Sequence, residues 1–126
     1  MAETKISTTA QELFELPDNG KHYELVGGEL RDMVPAGARH GRAAMRLGSL
    51  FNQHITAERL GIVLAAETGF RISRNPDTVR TPDVYFVSKE RVPRGGPPEG
   101  YWDLAPDLAV EVVSPNDTAA GVQSKV

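Results

Sequence analysis

The chain has 126 residues, 40% apolar and 25% charged, which predicts one globular domain spanning 1–126 with a core of ordinary size. It contains no cysteine, which excludes a disulfide framework, a thiolate nucleophile and thiolate metal ligation. The net charge of −3 argues against a protein that coats nucleic acid by electrostatics alone.

The charge is unevenly spread. Residues 39–94 hold ten Lys/Arg, nine of them arginine, against five Asp/Glu, while residues 1–38 hold three against seven and residues 95–126 one against five. A basic middle between acidic flanks can mark a polyanion-binding surface, or can be the uneven scatter of any short chain.

From the N-terminus, MAETKISTTAQELFEL carries scattered charges and no apolar run of the signal-peptide kind. No stretch approaches the roughly 20 apolar residues of a membrane span, so the expectation is a cytoplasmic protein with no membrane partner. Residues 7–16 predict a short helix capped by Ser7 or a following threonine, with Leu13, Phe14 and Leu16 as its apolar patch. Pro17-Asp18-Asn19-Gly20 breaks it. Residues 22–34 predict a β-hairpin turning at Gly27-Gly28, since paired glycines supply the positive φ angles of a tight turn. After Pro35–Gly37, a long helix is predicted from about Arg39 to Arg59 and closed by Gly61. Ala43, Leu47, Leu50, Phe51 and Ile55 form its apolar stripe, and Arg42, Arg46, Ser49 and Gln53 lie opposite.

Ile62 then opens a strand running as far as Ile72, followed by a turn-rich loop over 73–81 and a strand over 83–87 entered through Pro82. Residues 88–106 predict a long irregular loop, 107–113 a strand, and Ser114-Pro115-Asn116-Asp117 the start of a helix that the chain leaves short. The pattern is a mixed α/β (α+β) arrangement without regular βα alternation.

The chemistry gathers on the last two strands. Alternation puts Asp83, Tyr85 and Val87 on one face of the first, and Asp107, Ala109, Glu111 and Val113 on one face of the second. A glutamate inside Ala-Val-Glu-Val-Val is costly to bury unless it is paired or holds a metal. With Asp83 as a second arm, the pair suits a hard cation, Mg²⁺ or Mn²⁺. The helix-borne Lys125, four residues after Gly121 and three after Val122, could lean toward both carboxylates. Each residue also has a plainer reading. Asp83 can be the turn partner of Pro82, Glu111 an edge-strand residue facing water, and Lys125 a solvated helix lysine.

The ordered blocks Tyr23–Leu30, Arg39-His40-Gly41, Glu67-Thr68-Gly69-Phe70, Thr81–Val84 and Pro106–Pro115 strongly resemble the Uma2 family, also called DUF820. That family is placed in the PD-(D/E)XK nuclease superfamily. The resemblance runs from about Thr9 to the end of the chain. It implies a restriction-endonuclease-like core, a central mixed sheet flanked by helices with an N-terminal hairpin, shortened at the C-terminus relative to the family. It also implies that Asp83 and Glu111 are the side-chain metal ligands, that the Val112 carbonyl is the third ligand, and that Mg²⁺ or Mn²⁺ is the cofactor. Valine at 113 stands where the superfamily motif has lysine, and Lys125 would substitute from the helix. Glu24, His40 and Glu67 match recurrent family positions near the catalytic set, although Glu24 reads equally as a hairpin glutamate and His40 as a helix N-terminal residue.

Two functions compete. In one, the protein is a metal-dependent endonuclease acting on DNA, with Arg42, Arg46, Arg71, Arg74 and Arg80 contacting backbone phosphates. In the other, it is a catalytically inactive nuclease-fold module that binds nucleic acid or a protein partner. A third reading makes it a homodimer anchored by Tyr101 and Trp102, against the alternative that these aromatics cover the domain's own core.

Overall fold

The computed structural model describes residues 7–115 and 117–125. The chain divides into two compact units, each assembled from non-contiguous segments. One holds the chain up to Val34 with Thr68–Thr81 and Pro97–Ala105, and the other holds Pro35–Glu67, Pro82–Gly96 and Pro106 onward.

In the first unit, helix α1 (Ala10–Phe14) begins at Thr9, whose hydroxyl accepts the Glu12 N–H while the Glu12 carboxylate accepts the Thr9 N–H. This reciprocal cap satisfies two amides that a helix start leaves unpaired, and holds a helix too short to stand by propensity alone. Strands β1 (His22–Val26) and β2 (Glu29–Met33) form the expected hairpin, with Gly27 and Gly28 at φ +56° and +80°. Two left-handed residues in succession give the turn whose twist matches the strands it joins.

The strand expected from 62 to 72 is two strands. Strand β3 (Gly61–Ala65) belongs to the second unit, and β4 (Phe70–Ser73) to the first. Glu67, at φ +71°, lies in the turn that separates them. Gly69 lets β4 start beneath an aromatic ring, because a Cβ there would lie 2.5 Å from Tyr101 Cδ1. Residues 73–81, expected as loop, contain strand β5 (Thr78–Arg80), whose three residues are too few for alternation to register in sequence. The four strands make an antiparallel sheet ordered β2-β1-β5-β4. α1 covers it, with Ala10, Leu13, Leu25 and Val79 buried together and Tyr23 and Tyr101 packed against them. Residues 101–102 add a bridge alongside β4: the Arg71 N–H donates to the Trp102 carbonyl, and the Trp102 N–H to the Gly69 carbonyl.

In the second unit, helix α2 (Ala38–Ala57) ends on Arg59 at φ +53° rather than on Gly61. The Leu60 N–H reaches the Ile55 carbonyl and the Arg59 N–H the Thr56 carbonyl, a left-handed C-terminal cap that usually takes glycine. The buried arc of α2 is rotated from the predicted one. His40, Ala44, Leu47, Gly48, Phe51 and Ile55 turn inward to varying degrees, while Ala43 and Leu50 are exposed, Leu50 by 65%. Gly48 lies on this inward arc against Val84, which would be 3.6 Å from a Cβ there, an ordinary contact distance. The arginine stripe is outward as expected.

Strand β6 (Val84–Ser88) is central in a three-stranded antiparallel sheet ordered β3-β6-β7, with β7 being Leu108–Val110. Val84, Tyr85 and Val87 are all buried, so β6 is covered on both faces. The Tyr85 hydroxyl donates to the Ala65 carbonyl across the sheet. A 3-10 turn, Lys89–Arg91, follows β6, and Asp107 accepts the Ser88 N–H there and pairs with Arg91. These two contacts, the Ser88 bond first, hold the Asp107 carboxyl below the usual carboxylate range. Helix α3 (Ala119–Gln123) is capped by Thr118, whose hydroxyl accepts the Gly121 N–H. It therefore starts later than the Ser114–Asp117 signal suggested, and Asn116 of that signal lies outside the described residues. α and β elements mix as expected, and both sheets are antiparallel.

Candidate metal and phosphodiester site

β7 is shorter than the strand predicted over 107–113, and the reason lies in the site itself. On the neighbouring strand, Pro82 has no N–H to offer the ladder. On the other strand, the Val112 N–H donates to the Asp83 side chain, at 2.8 Å to Oδ2. The pairing ends at Val84 opposite Val110, and Asp83 and Glu111 are the next residue on each side of it along the chain. Asp83 is fastened on both sides of that position, since its own N–H donates to the Val110 carbonyl at 3.2 Å.

His40 reaches the same aspartate from the first turn of α2, with Nε2 3.1 Å from Asp83 Oδ2. A carboxylate oxygen can only accept, so His40 donates through Nε2. Both side chains are largely shielded, at 15% and 16% exposure. From the other direction, Lys125 places Nζ 3.5 Å from Glu111 Oε2, with both groups about a third exposed. At that exposure the pair contributes at most about 1 kcal/mol, so its interest is chemical. A cavity of about 250 Å³ opens beside it, lined among others by Glu111, Val113, Thr118, Val122 and Lys125.

Asp83, Glu111, Val112, Lys125 and His40 thus belong to one unit, with His40 and the Val112 N–H on Asp83 and Lys125 on Glu111. Among the described residues no group of three or more Asp, Glu, His or Cys side chains could hold a metal. A cation here would draw on the two carboxylates, the Val112 carbonyl and water, a donor set of oxygens that fits Mg²⁺ or Mn²⁺.

Several of the other candidates have carboxylate, amide or guanidinium partners. Glu24 is in the first unit, 5% exposed, accepting the Thr81 N–H and paired with Arg80 at 3.6 Å. Glu67 is exposed at the β3–β4 turn. Arg71 grips Asp103 with two parallel hydrogen bonds and lies 3.8 Å from Asp77, and Arg74 joins Asp103 at 3.0 Å. Arg71, Arg74 and Arg80 therefore already have carboxylate partners, whereas Arg42 and Arg46 stand exposed on α2. Sequence order alone could not reveal these pairings, because Asp103 is 32 residues from Arg71.

The Arg71 hydrogen bond, more than its charge, holds the Asp103 carboxyl below the usual carboxylate range, and Asp103 in turn raises Arg71. A carboxyl depressed in the folded state contributes stability above its unfolded value of about 3.9, and loses it as pH falls through the folded value. Asp103→Asn is thus expected to destabilise the protein near neutrality, by no more than about 1 kcal/mol given the exposure of the pair. The gap from wild type should close in urea titrations as pH is lowered from 6 to below 3. A gap constant over that range would contradict the assignment.

Comparison with known proteins places the chain in a family. The sequence model of Uma2, described as "Putative restriction endonuclease", matches residues 10–125. The chain belongs to the Uma2 family. The crystal structure of "a putative nuclease belonging to DUF820" from Anabaena variabilis is similar in fold, with a TM-score of 0.77 at 20% identity, over 93% of this chain and 64% of that one. This chain therefore spans less than two thirds of the length of that Uma2 relative. No curated protein matches it. A nuclease-like fold with the N-terminal hairpin is thereby established, and no helix among the described residues is long and apolar enough to cross a membrane.

Proposed function

We propose that this Uma2 chain is a metal-dependent endonuclease that hydrolyses phosphodiester bonds of DNA. The reading rests on the hydrogen bond that ties Asp83 to Val112, the residue after Glu111, at the point where the β6–β7 ladder stops. Asp83, Glu111 and the Val112 carbonyl would hold Mg²⁺ or Mn²⁺. When bound, such an ion lowers the pKa of a coordinated water and offsets charge on the phosphoryl oxygens.

The chain's own residues supply the rest. Glu111 carries the local negative charge, and Lys125 beside it brings a compact ammonium that can orient an attacking water or stabilise the crowded phosphorus. The exposed Arg42 and Arg46, one turn apart on α2, would meet backbone phosphates and give affinity with little reading of sequence. Arg71, Arg74 and Arg80 would contribute only by exchanging their present carboxylate partners for phosphate.

One observation favours a second reading, binding without cleavage: each proposed ligand already has a cationic or hydrogen-bonding partner within the fold, Lys125 for Glu111 and His40 for Asp83. Plasmid cleavage separates the two. Supercoiled DNA incubated with the purified chain and Mg²⁺ or Mn²⁺ is expected to be nicked, and EDTA or Glu111→Ala should prevent it. Absence of nicking by the folded wild type with either ion would leave the binding module as the function.

A further inference from the structure

The Asp83 carboxylate is used asymmetrically. Its Oδ2 accepts two hydrogen bonds, from the Val112 N–H at 2.8 Å and from His40 Nε2 at 3.1 Å. Among the described residues no hydrogen bond reaches Oδ1. An ionised carboxylate offers about four lone-pair sites, two on each oxygen, so two donors use up Oδ2 and leave Oδ1 its full capacity.

The donors come from different elements. The Val112 amide is part of the chain leaving β7. His40 enters from α2, where it heads the inward arc that continues through Ala44, Gly48, Phe51 and Ile55. Spacings of four, four, three and four keep these residues on one side of a helix, so the packing of that side also directs where the imidazole arrives. The ring is 15% exposed, which limits its choice of rotamer.

We propose that His40 is a positioning residue: with the Val112 amide it clamps Asp83 through Oδ2, so that Asp83 offers a divalent cation Oδ1 alone. This rests on the metal reading given above and adds to it the coordination mode and the residue that enforces it. The physical basis is general. A ligating carboxylate with one oxygen held by fixed donors loses little rotational freedom when the ion arrives, and the partners that orient a ligand typically govern affinity by 10–100-fold. The imidazole touches neither substrate nor ion, and acts through the aspartate.

The test is Mn²⁺ binding to the whole chain, read from the electron paramagnetic resonance signal of free Mn²⁺, with no substrate present. Wild type is expected to bind Mn²⁺ at a site lost in Glu111→Gln. His40→Leu, which fills the ring's place without a donor, should weaken that site by about 10–100-fold. His40→Gln, which restores an N–H, should lie within about threefold of wild type. Circular dichroism melts confirm that each variant is folded. Equal affinity for wild type and His40→Leu would overturn the positioning role while leaving the metal site standing. A wild type that binds no Mn²⁺ would overturn both. Should His40→Leu fail to fold, nitrogen-15 spectra of the wild-type histidines decide: the proton on Nε2 of His40 supports the clamp, and a bare Nε2 refutes it.

Discussion

Asp83→Ala is expected to lower metal-dependent cleavage by about a thousandfold or more, the scale that follows when an ion contributing several kcal/mol to the transition state loses one of its two carboxylates. Alanine also strands the Val112 N–H and His40, which rest on Asp83 Oδ2 at 2.8 and 3.1 Å. A loss of about 1–3 kcal/mol of stability should accompany the loss of activity. Asp83→Asn separates the two effects. Its amide oxygen can still accept from Val112, so the fold should survive nearly intact, while the neutral side chain loses the charge that attracts a cation. The expected result is two variants equally inactive, with only the alanine form markedly less stable. Cleavage by Asp83→Asn within tenfold of wild type would show that the charge is not what the reaction uses.

Trp102→Ala is expected to cost about 3–5 kcal/mol, enough to lower the melting temperature by roughly 10–20 °C, without changing the oligomeric state. Trp102 is 7% exposed and stacks on the fully buried Phe70, with ring centroids 6.1 Å apart at 15°. Its backbone bridges β4 in both directions, through the Gly69 carbonyl and the Arg71 amide. Tyr101, next to it, meets Phe14 edge to face at 5.2 Å. These aromatics close the first unit's own core, the alternative that the sequence offered beside a partner anchor. Thermal melts alongside gel filtration check the expectation. A shift in elution volume with an unchanged melt would restore the interface reading.

Much of this architecture was legible before any coordinates. The paired glycines at 27–28 announced the hairpin, the three- and four-residue spacings announced α2, and Asp83 and Glu111 stood out as carboxylates in or beside apolar strands. What escaped the sequence depended on contacts between distant segments. The break after Ala65 rests on Glu67 in a left-handed conformation and on Gly69 beneath Tyr101, and no local pattern distinguishes that from a continued strand. The rotation of α2 depends on which side of the helix packs inward, which a hydrophobicity count along the chain does not resolve. That rotation mattered for the site, because it carried His40 inward to Asp83, 43 residues along the chain. The pairings of the arginines escaped for a similar reason. Composition could show a basic middle segment, but not that Arg71 and Arg74 share Asp103 and that Arg80 faces Glu24.

The account turns on whether one cation sits between the aspartate before β6 and the glutamate after β7. Crystals soaked in MnCl₂ and measured at the manganese absorption edge test this without reference to activity. A single anomalous peak bonded to Asp83 Oδ1 and a Glu111 carboxylate oxygen, at about the 2.1 Å usual for a small hard cation, is the predicted result. Full Mn²⁺ occupancy elsewhere, with Asp83 still held only by His40 and Val112 and Glu111 only by groups of the protein, would contradict it.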